Sequence, residues 1–350
     1  MNELPETMRQ WVLARRPEGL AVGEDFRLET APLPAAGPGE VLVKTQYLGV
    51  APVMLRYMNN ETDFERDLAI GDVMHGRGVG FVVESRHPGW QAGDLVCAKL
   101  RWREYAVFAP DDPYYMPFRL RHPDLKASYG VGALGYNGYT ALVGLRDIAG
   151  VRAGDQVLVT GAAGGVGCNV AFVARALGAA RIVGVAGGPD KCRLLTDKLG
   201  YDAAIDYKAG NTGAAMESLL PDGIDACFDN VGGELLDQAM GRINRRARIT
   251  LCGRISEYLK DRADYHRPRN FYRISYMDAK VEGFFIYDYA DAFDEHQDTL
   301  AAWVRSGALE PHEDLLEGLE SMPAALIGLY EGTNSGVRAV RIDPAADAGR

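Results

Sequence analysis

Five short apolar runs, QVLVTG (156–161), RIVGVA (181–186), DAAIDY (202–207), DACFDN (225–230) and RITLCG (248–253), recur at nearly even intervals. Helical candidates lie between them, among them VGCNVAFVARALG and DKCRLLTDKLG. A sixth run, AKVEGFFIY (279–287), follows a longer connection. Strands this apolar are expected where helices cover both faces of a sheet. Their alternation with helices specifies a parallel, doubly wound α/β sheet of the Rossmann type.

The rest of the chain has a different rhythm. Up to about Pro117 it is rich in β-like runs with Gly/Pro punctuation, such as EVLVKTQYLGV, GRGVGFVVES and DLVCAKL. From about Ser128 a helical stretch, YGVGALGYNGYTALVGLRDI, leads into the first of the even-spaced strands. Near the end an amphipathic helix, DEHQDTLAAWVRSG, precedes VRAVRID, a strand-like run expected to rejoin the first domain. With 350 residues, two domains are the natural expectation. The boundaries read as 1–128 for a mostly β substrate domain, 129–303 for the nucleotide-binding domain and 304–350 for the return to the first.

Net charge is −10 with scattered Lys and Arg, which argues against nucleic acid. No apolar run approaches the roughly 20 residues of a membrane span, and the N-terminus has no signal core, so a cytoplasmic location is expected. The five cysteines are widely spaced and form no C-x-x-C pair. The six histidines form no H-E-x-x-H set, so no metal is expected. His75, in VMHGRGVG, reads as structural or cleft-facing. No G-x-S-x-G elbow occurs.

The turn after the first strand, GAAGGVG, carries a dinucleotide signal. Aligned to the fingerprint, Ala162, Gly164 and Gly167 take the three glycine positions. Ala163, Gly164, Gly165 and Val166 then bring backbone close to a pyrophosphate at a helix N-terminus. A strand before and a helix after supply the required context. The second strand ends in Ala186-Gly187-Gly188, with no acid for a ribose 2′-hydroxyl. Asp190 reads as a first-turn charge after Pro189. Lys191 is either a surface lysine or a partner for a 2′-phosphate, and the combination favours NADPH over NADH.

The order GAAGGVG, GGPDK, DYK, DNVGG, CGRISEY, MPAA and GTNSG makes the likeness specific. The chain resembles the zinc-independent medium-chain dehydrogenase/reductases of the leukotriene B4 dehydrogenase, prostaglandin reductase and curcumin reductase type, over nearly its whole length. The resemblance implies a GroES-like substrate domain built from both chain ends and a homodimer. It implies that Lys191 and Tyr207 hold the NADPH 2′-phosphate. It assigns cofactor contacts to Asn230, to the loop holding Cys252, Gly253, Ile255, Ser256 and Tyr258, to Phe284, Phe285 and Ile286, and to Asn334. It makes Tyr258 the donor to a substrate carbonyl and lines the substrate pocket with Val53, Tyr258 and Tyr287. On residue chemistry alone, Asn230 is also a good turn residue, Tyr258 a surface tyrosine, and Phe284 and Phe285 strand core.

Two departures stand out. Ala51-Pro52-Val53-Met54-Leu55 replaces a common Asp-Pro-Tyr-Met-Arg, and Gly336-Val337 replaces Gly-Lys. The segment 260–278, rich in Arg and Tyr, reads as a substrate-side loop or as a solvated or dimer-facing one. The expected function is NADPH-dependent reduction of a carbon–carbon double bond conjugated to a ketone or aldehyde. A quinone reductase and a non-catalytic NADPH-binding protein are the alternatives.

Overall fold

The structure, a computed structural model, describes residues 4–344. Contacts divide the chain into two units: residues up to Gly135 together with those from Glu313 on, and Tyr136–His312.

The first unit is mostly β. Strands β1 (Thr7–Leu13) and β2 (Phe26–Pro32) pair antiparallel. A second sheet uses β3 (Val41–Gly49), β4 (Gly78–Ser85), β5 (Leu95–Ala98), β6 (Tyr105–Phe108) and β7 (Phe118–Arg119). The chain leaves this unit for six strands, β8 (Gln156–Thr160), β9 (Arg181–Ala186), β10 (Ala203–Asp206), β11 (Ile224–Asp229), β12 (Ile243–Leu251) and β13 (Lys280–Gly283). It returns with β14 (Glu313–Glu317) and β15 (Val337–Arg341). The order in the first unit's larger sheet is β14-β15-β3-β4-β5-β7, with β6 also on β3. The VRAVR run therefore does rejoin the first unit: Ala339 pairs Gly49 and Val340 pairs Leu48. Val340 then sits in one core with Val43, Leu48, Met58, Trp102 and Phe108, all at most 1 % exposed. Each such side chain contributes about 1.5–3 kcal/mol by burial.

The second unit is a six-stranded, wholly parallel sheet in the order β10-β9-β8-β11-β12-β13. The chain starts in the middle, steps outward twice, then crosses to the other side, so a crevice opens at the carboxyl ends of β8 and β11. Helices Gly167–Ala176, Pro189–Asp197, Thr212–Leu219 and Gly233–Met240 connect the strands. Leu158, Val183, Ile205, Cys227 and Ile249 are buried between them.

Two elements differ from the sequence reading. The sixth strand stops at Gly283, so Phe284 and Phe285 are not strand core. Among the described residues β13 has only β12 beside it, and that neighbour ends at Leu251, opposite Gly283, so the ladder runs out. The stretch 129–148 is not one helix. It breaks into a short 3-10 turn (Ala127–Val131), a helix (Tyr136–Val143) and a π-type turn (Gly144–Ile148). Thr250 Oγ1 donates to the Gly144 carbonyl at 2.8 Å, drawing it towards β12. Among the described residues no helix is long and apolar enough to cross a membrane.

Candidate active site

The glycine loop lies where β8 meets its helix. Gly161 turns the chain with φ +60°, and the Ala162 amide donates to Val185 on β9 at 3.0 Å. The turn residue is thus Gly161, one position before the Ala162 that the fingerprint alignment selects. Ala162 is fully buried and serves packing. A Cβ on Gly167 would lie 2.4 Å from the Gly161 oxygen and 2.6 Å from that of Ala162, so only glycine fits where helix meets strand. Ala163, Gly164, Gly165 and Val166 bridge the turn and the helix that begins at Gly167. The first amides of that helix are the donors an anion would use.

At the end of β9 the chain continues Gly187-Gly188, and a Cβ on Gly187 would fall 2.8 Å from the Tyr207 ring and 3.0 Å from Lys208 Cε. Lys191 is half-buried on the first turn of Pro189–Asp197. Asp190 instead pairs with Arg193 at the surface. One acid that strand periodicity did not place here is Asp206, at the end of β10. Its Oδ1 accepts from the Gly188 amide at 2.8 Å and the Lys208 amide at 2.9 Å. That carboxylate is occupied in joining two strand ends, and Tyr207 and Lys208 lie against Gly187. The arrangement fits a phosphate on the ribose.

The DNVGG and CGRISEY segments are one construction. Asp229 is fully buried at the end of β11. It accepts from Thr160 Oγ1 (2.5 Å), Gly232 N (2.9 Å) and Val231 N (3.3 Å). Burial pushes its carboxyl above the ordinary range, and those three donors offset part of the rise. Its backbone oxygen accepts from Cys252 and Gly253. Asn230 donates through Nδ2 to the Thr160 oxygen at 2.8 Å, so the amide has a structural partner in the turn. Ser256 Oγ donates to Val231 at 2.7 Å. A Cβ on Gly233, which has φ +61°, would meet that Oγ at 2.7 Å. Burial pushes the Cys252 thiol up to about 12, so it stays protonated at neutral pH. Ile255 opens a 3-10 turn that Tyr258 closes. Tyr258 lines a cleft of about 480 Å³ together with Asp229, Gly253, Glu257, Leu236 and Phe271.

Segment 260–278 is pinned to the helix Gly233–Met240. Asp237 accepts from Asn270 N (2.8 Å) and Arg269 N (3.0 Å), and lies 2.8 Å from His266 Nε2. Burial raises the Asp237 carboxyl, but His266 and the two amides outweigh it and hold the group below its ordinary value. Neither the acid nor its role was apparent in the sequence. Past β13, Phe285 packs edge-on against Tyr287 (4.6 Å), and Tyr287 against Tyr136 (5.3 Å). Ile286 begins the turn that carries Tyr287. Phe284 meets Tyr289.

The remaining candidates belong to the first unit. Val53 precedes the helix Met54–Met58, where Tyr330 Oη donates to the Pro52 oxygen at 2.6 Å. Asn334 is buried just before β15, its amide 3.5 Å from the Gly336 oxygen. His75 is buried, with Nε2 2.9 Å from the Arg66 oxygen and Nδ1 3.2 Å from Tyr114 Oη. Burial lowers its pKa, which keeps it neutral.

Known proteins agree with this architecture. Residues 9–114 match a family described as the N-terminal domain of oxidoreductase, and 165–302 one described as zinc-binding dehydrogenase. Among the described residues no group of three or more His, Cys, Asp or Glu side chains could hold a metal ion. The NADPH-dependent curcumin reductase of Escherichia coli is 35% identical over 98% of this chain and 99% of its own length. The NADP-dependent 2-alkenal reductase of Nicotiana tabacum is 35% identical over 87% of this chain and 88% of its own. The crystal structure of CurA in complex with NADPH from Vibrio vulnificus superposes with a TM-score of 0.85, at 33% identity, over 96% of this chain and 99% of that one. The chain therefore belongs to the medium-chain dehydrogenase/reductase family, among the NADP-dependent oxidoreductases that include the curcumin and 2-alkenal reductases.

Proposed function

We propose that this chain reduces the carbon–carbon double bond of an α,β-unsaturated ketone or aldehyde with NADPH and without a metal. The observation that carries the reading is Tyr258, set on a turn after β12 and lining a cleft beside the Asp229 construction. Relatives that act on conjugated carbonyls support it. When bound, NADPH supplies the hydride that the β-carbon receives. The helix opening at Gly167 holds the pyrophosphate, with Ala163 to Val166 close against it. Lys191 and Tyr207 hold the 2′-phosphate. Asn230, Cys252, Gly253, Ile255, Ser256, Phe284, Phe285, Ile286 and Asn334 line the remainder of the cofactor. Val53 and Tyr287 bound the substrate.

As the β-carbon gains hydrogen, the π-bond electrons move to the carbonyl oxygen. The Tyr258 hydroxyl donates a hydrogen bond there. A proton from Tyr258 or from water then completes the α-carbon. Incubating the protein with NADPH and a panel of enones and enals should give saturated products with matching loss of NADPH absorbance. Turnover of quinones alone would replace this reading with quinone reduction. Tight NADPH binding without turnover of any electrophile would replace it with a non-catalytic role.

Lys191→Ala should raise KM for NADPH about tenfold or more while leaving KM for NADH within a factor of two, because only the former carries the phosphate. Equal losses for both cofactors would place Lys191 elsewhere. We further infer a homodimer: β13 pairs only with β12 among the described residues, leaving an edge that a second copy could extend. A monomer in sedimentation at micromolar concentration would refute it.

A further inference from the structure

The cleft beside Tyr258 extends onto a face of the parallel sheet that the glycine loop does not use. Side chains alternate between the two faces along a strand. On one face Thr250 donates to Gly144, and a Cβ on Gly144 would meet the Phe228 ring at 2.4 Å. The helix Tyr136–Val143, which runs into that turn, packs against the helix Gly167–Ala176 opened by the glycine loop. Ile249 and Leu251 point the other way, into the core formed with Ala239 and Met240 of the helix Gly233–Met240. The apolar side of the cleft is built from this second face, by Leu236, Met240, Leu251 and Val281. Among the described residues that line it, none belongs to the glycine loop.

The opposite wall is fixed in place. Asp237 ties down His266, Arg269 and Asn270, and so sets Phe271 at the cleft. The volume of about 480 Å³ falls within the about 300–1,000 Å³ typical of small-molecule sites. Phe271 is 61 % exposed, a ring left in water beside an apolar wall.

Glu257 is the opposite case. It lines the same cleft and is only 9 % exposed, yet among the described residues no donor hydrogen-bonds its carboxylate. Its one ion-pair partner, the half-exposed Arg254, stands 3.7 Å away. A carboxylate taken out of water without a donor is unfavourable, and a donor entering the cleft would relieve it. Asp229 lines the cleft as well, and His266 is already engaged with Asp237, so an anion would be repelled there.

We propose that this cleft is a second binding site, for a small, neutral, mostly apolar molecule carrying one hydroxyl. The hydroxyl donates to Glu257, and an ionised acceptor makes that bond a strong one. The hydrocarbon body covers Phe271 and lies against Leu236, Met240, Leu251 and Val281. Glu257 and Tyr258 are consecutive residues of one 3-10 turn, so an occupant bears directly on the turn that carries Tyr258. The site does not rest on the reductase reading.

The test titrates 2-naphthol and its methyl ether, 2-methoxynaphthalene, into the NADPH-loaded protein by calorimetry. The phenol should bind about tenfold tighter or more, because only it can donate. Glu257→Met should erase that difference. Glu257→Gln keeps the shape without the charge and should lower it to about threefold, which covers the case that Glu257→Met does not fold. Leu236→Trp fills the apolar side and should weaken both compounds about tenfold or more while leaving NADPH affinity and enone kcat/KM within about twofold. Equal affinities of phenol and ether for the wild-type protein overturn the proposal. So does a preference that survives both changes at Glu257. A loss of enone kcat/KM in Leu236→Trp as large as the loss of phenol binding also overturns it, since the cleft would then be the substrate's own. If no enone turns over, the reductase reading falls, and calorimetry with NADPH affinity as the control decides the site alone.

Discussion

Asp229→Ala is expected to lower stability by about 2–4 kcal/mol and to weaken NADPH binding with it. Three donors, on Thr160, Val231 and Gly232, lose their acceptor in a site with no exposed surface. Each stranded donor costs on the order of 1–3 kcal/mol. The full sum is not reached, because the carboxylate is itself unfavourably buried and its removal relieves that cost. The damage spreads through Thr160, whose Oγ1 also accepts from the Asn230 amide at 2.9 Å. The turn joining the ends of β8 and β11 therefore loosens at the place assigned to the cofactor.

The pH dependence has a definite sign. A carboxyl whose folded pKa is raised gives stability that is present below its unfolded value and lost as pH rises through the folded one. The gap between wild type and Asp229→Ala should therefore be wider in mild acid than at neutral pH. Urea unfolding at several pH values, with an NADPH titration of each protein, checks both parts. A stability change under about 1 kcal/mol, with unaltered NADPH affinity, would show that Asp229 is not the organising residue.

The sequence made the doubly wound sheet plain because β8, β9 and β11 are buried on both faces and so are written in apolar residues. The last strand was legible in VRAVR as a strand-like run after a helix, and its pairing with β3 is what returns it to the first unit. What stayed hidden depends on contacts distant in sequence. Asp206 reads as the last residue of a strand, and only the parallel pairing of β10 with β9 brings it to Gly188. Asp237 looks like an ordinary helix acid until 260–278 folds back on it. The glycine of the cofactor turn was displaced by one because a fingerprint counts positions, whereas the chain reverses where φ is positive, at Gly161.

Tyr258→Phe should reduce kcat on an enone about a hundredfold to a thousandfold with NADPH affinity nearly unchanged. The ring is kept, since phenylalanine retains every apolar atom of the side chain that lines the cleft. Only the hydroxyl is lost, and its hydrogen bond strengthens as charge builds on the carbonyl oxygen, which is where a missing donor is felt in rate. Removing one such donor typically costs about 2.7–4 kcal/mol in the barrier. The nearby Cys252 is no substitute, since a buried thiol is a weak donor. Ser256→Ala is a useful contrast: it breaks the 2.7 Å tie to Val231 that sets the turn, so it should disturb NADPH binding and turnover together. Kinetics on one enone, paired with NADPH titrations by fluorescence, separates the two behaviours. If Tyr258→Phe loses NADPH affinity in proportion to rate, its hydroxyl serves the cofactor. If it keeps full rate, the carbonyl draws its hydrogen bond from another group, and the substrate must lie differently in the site.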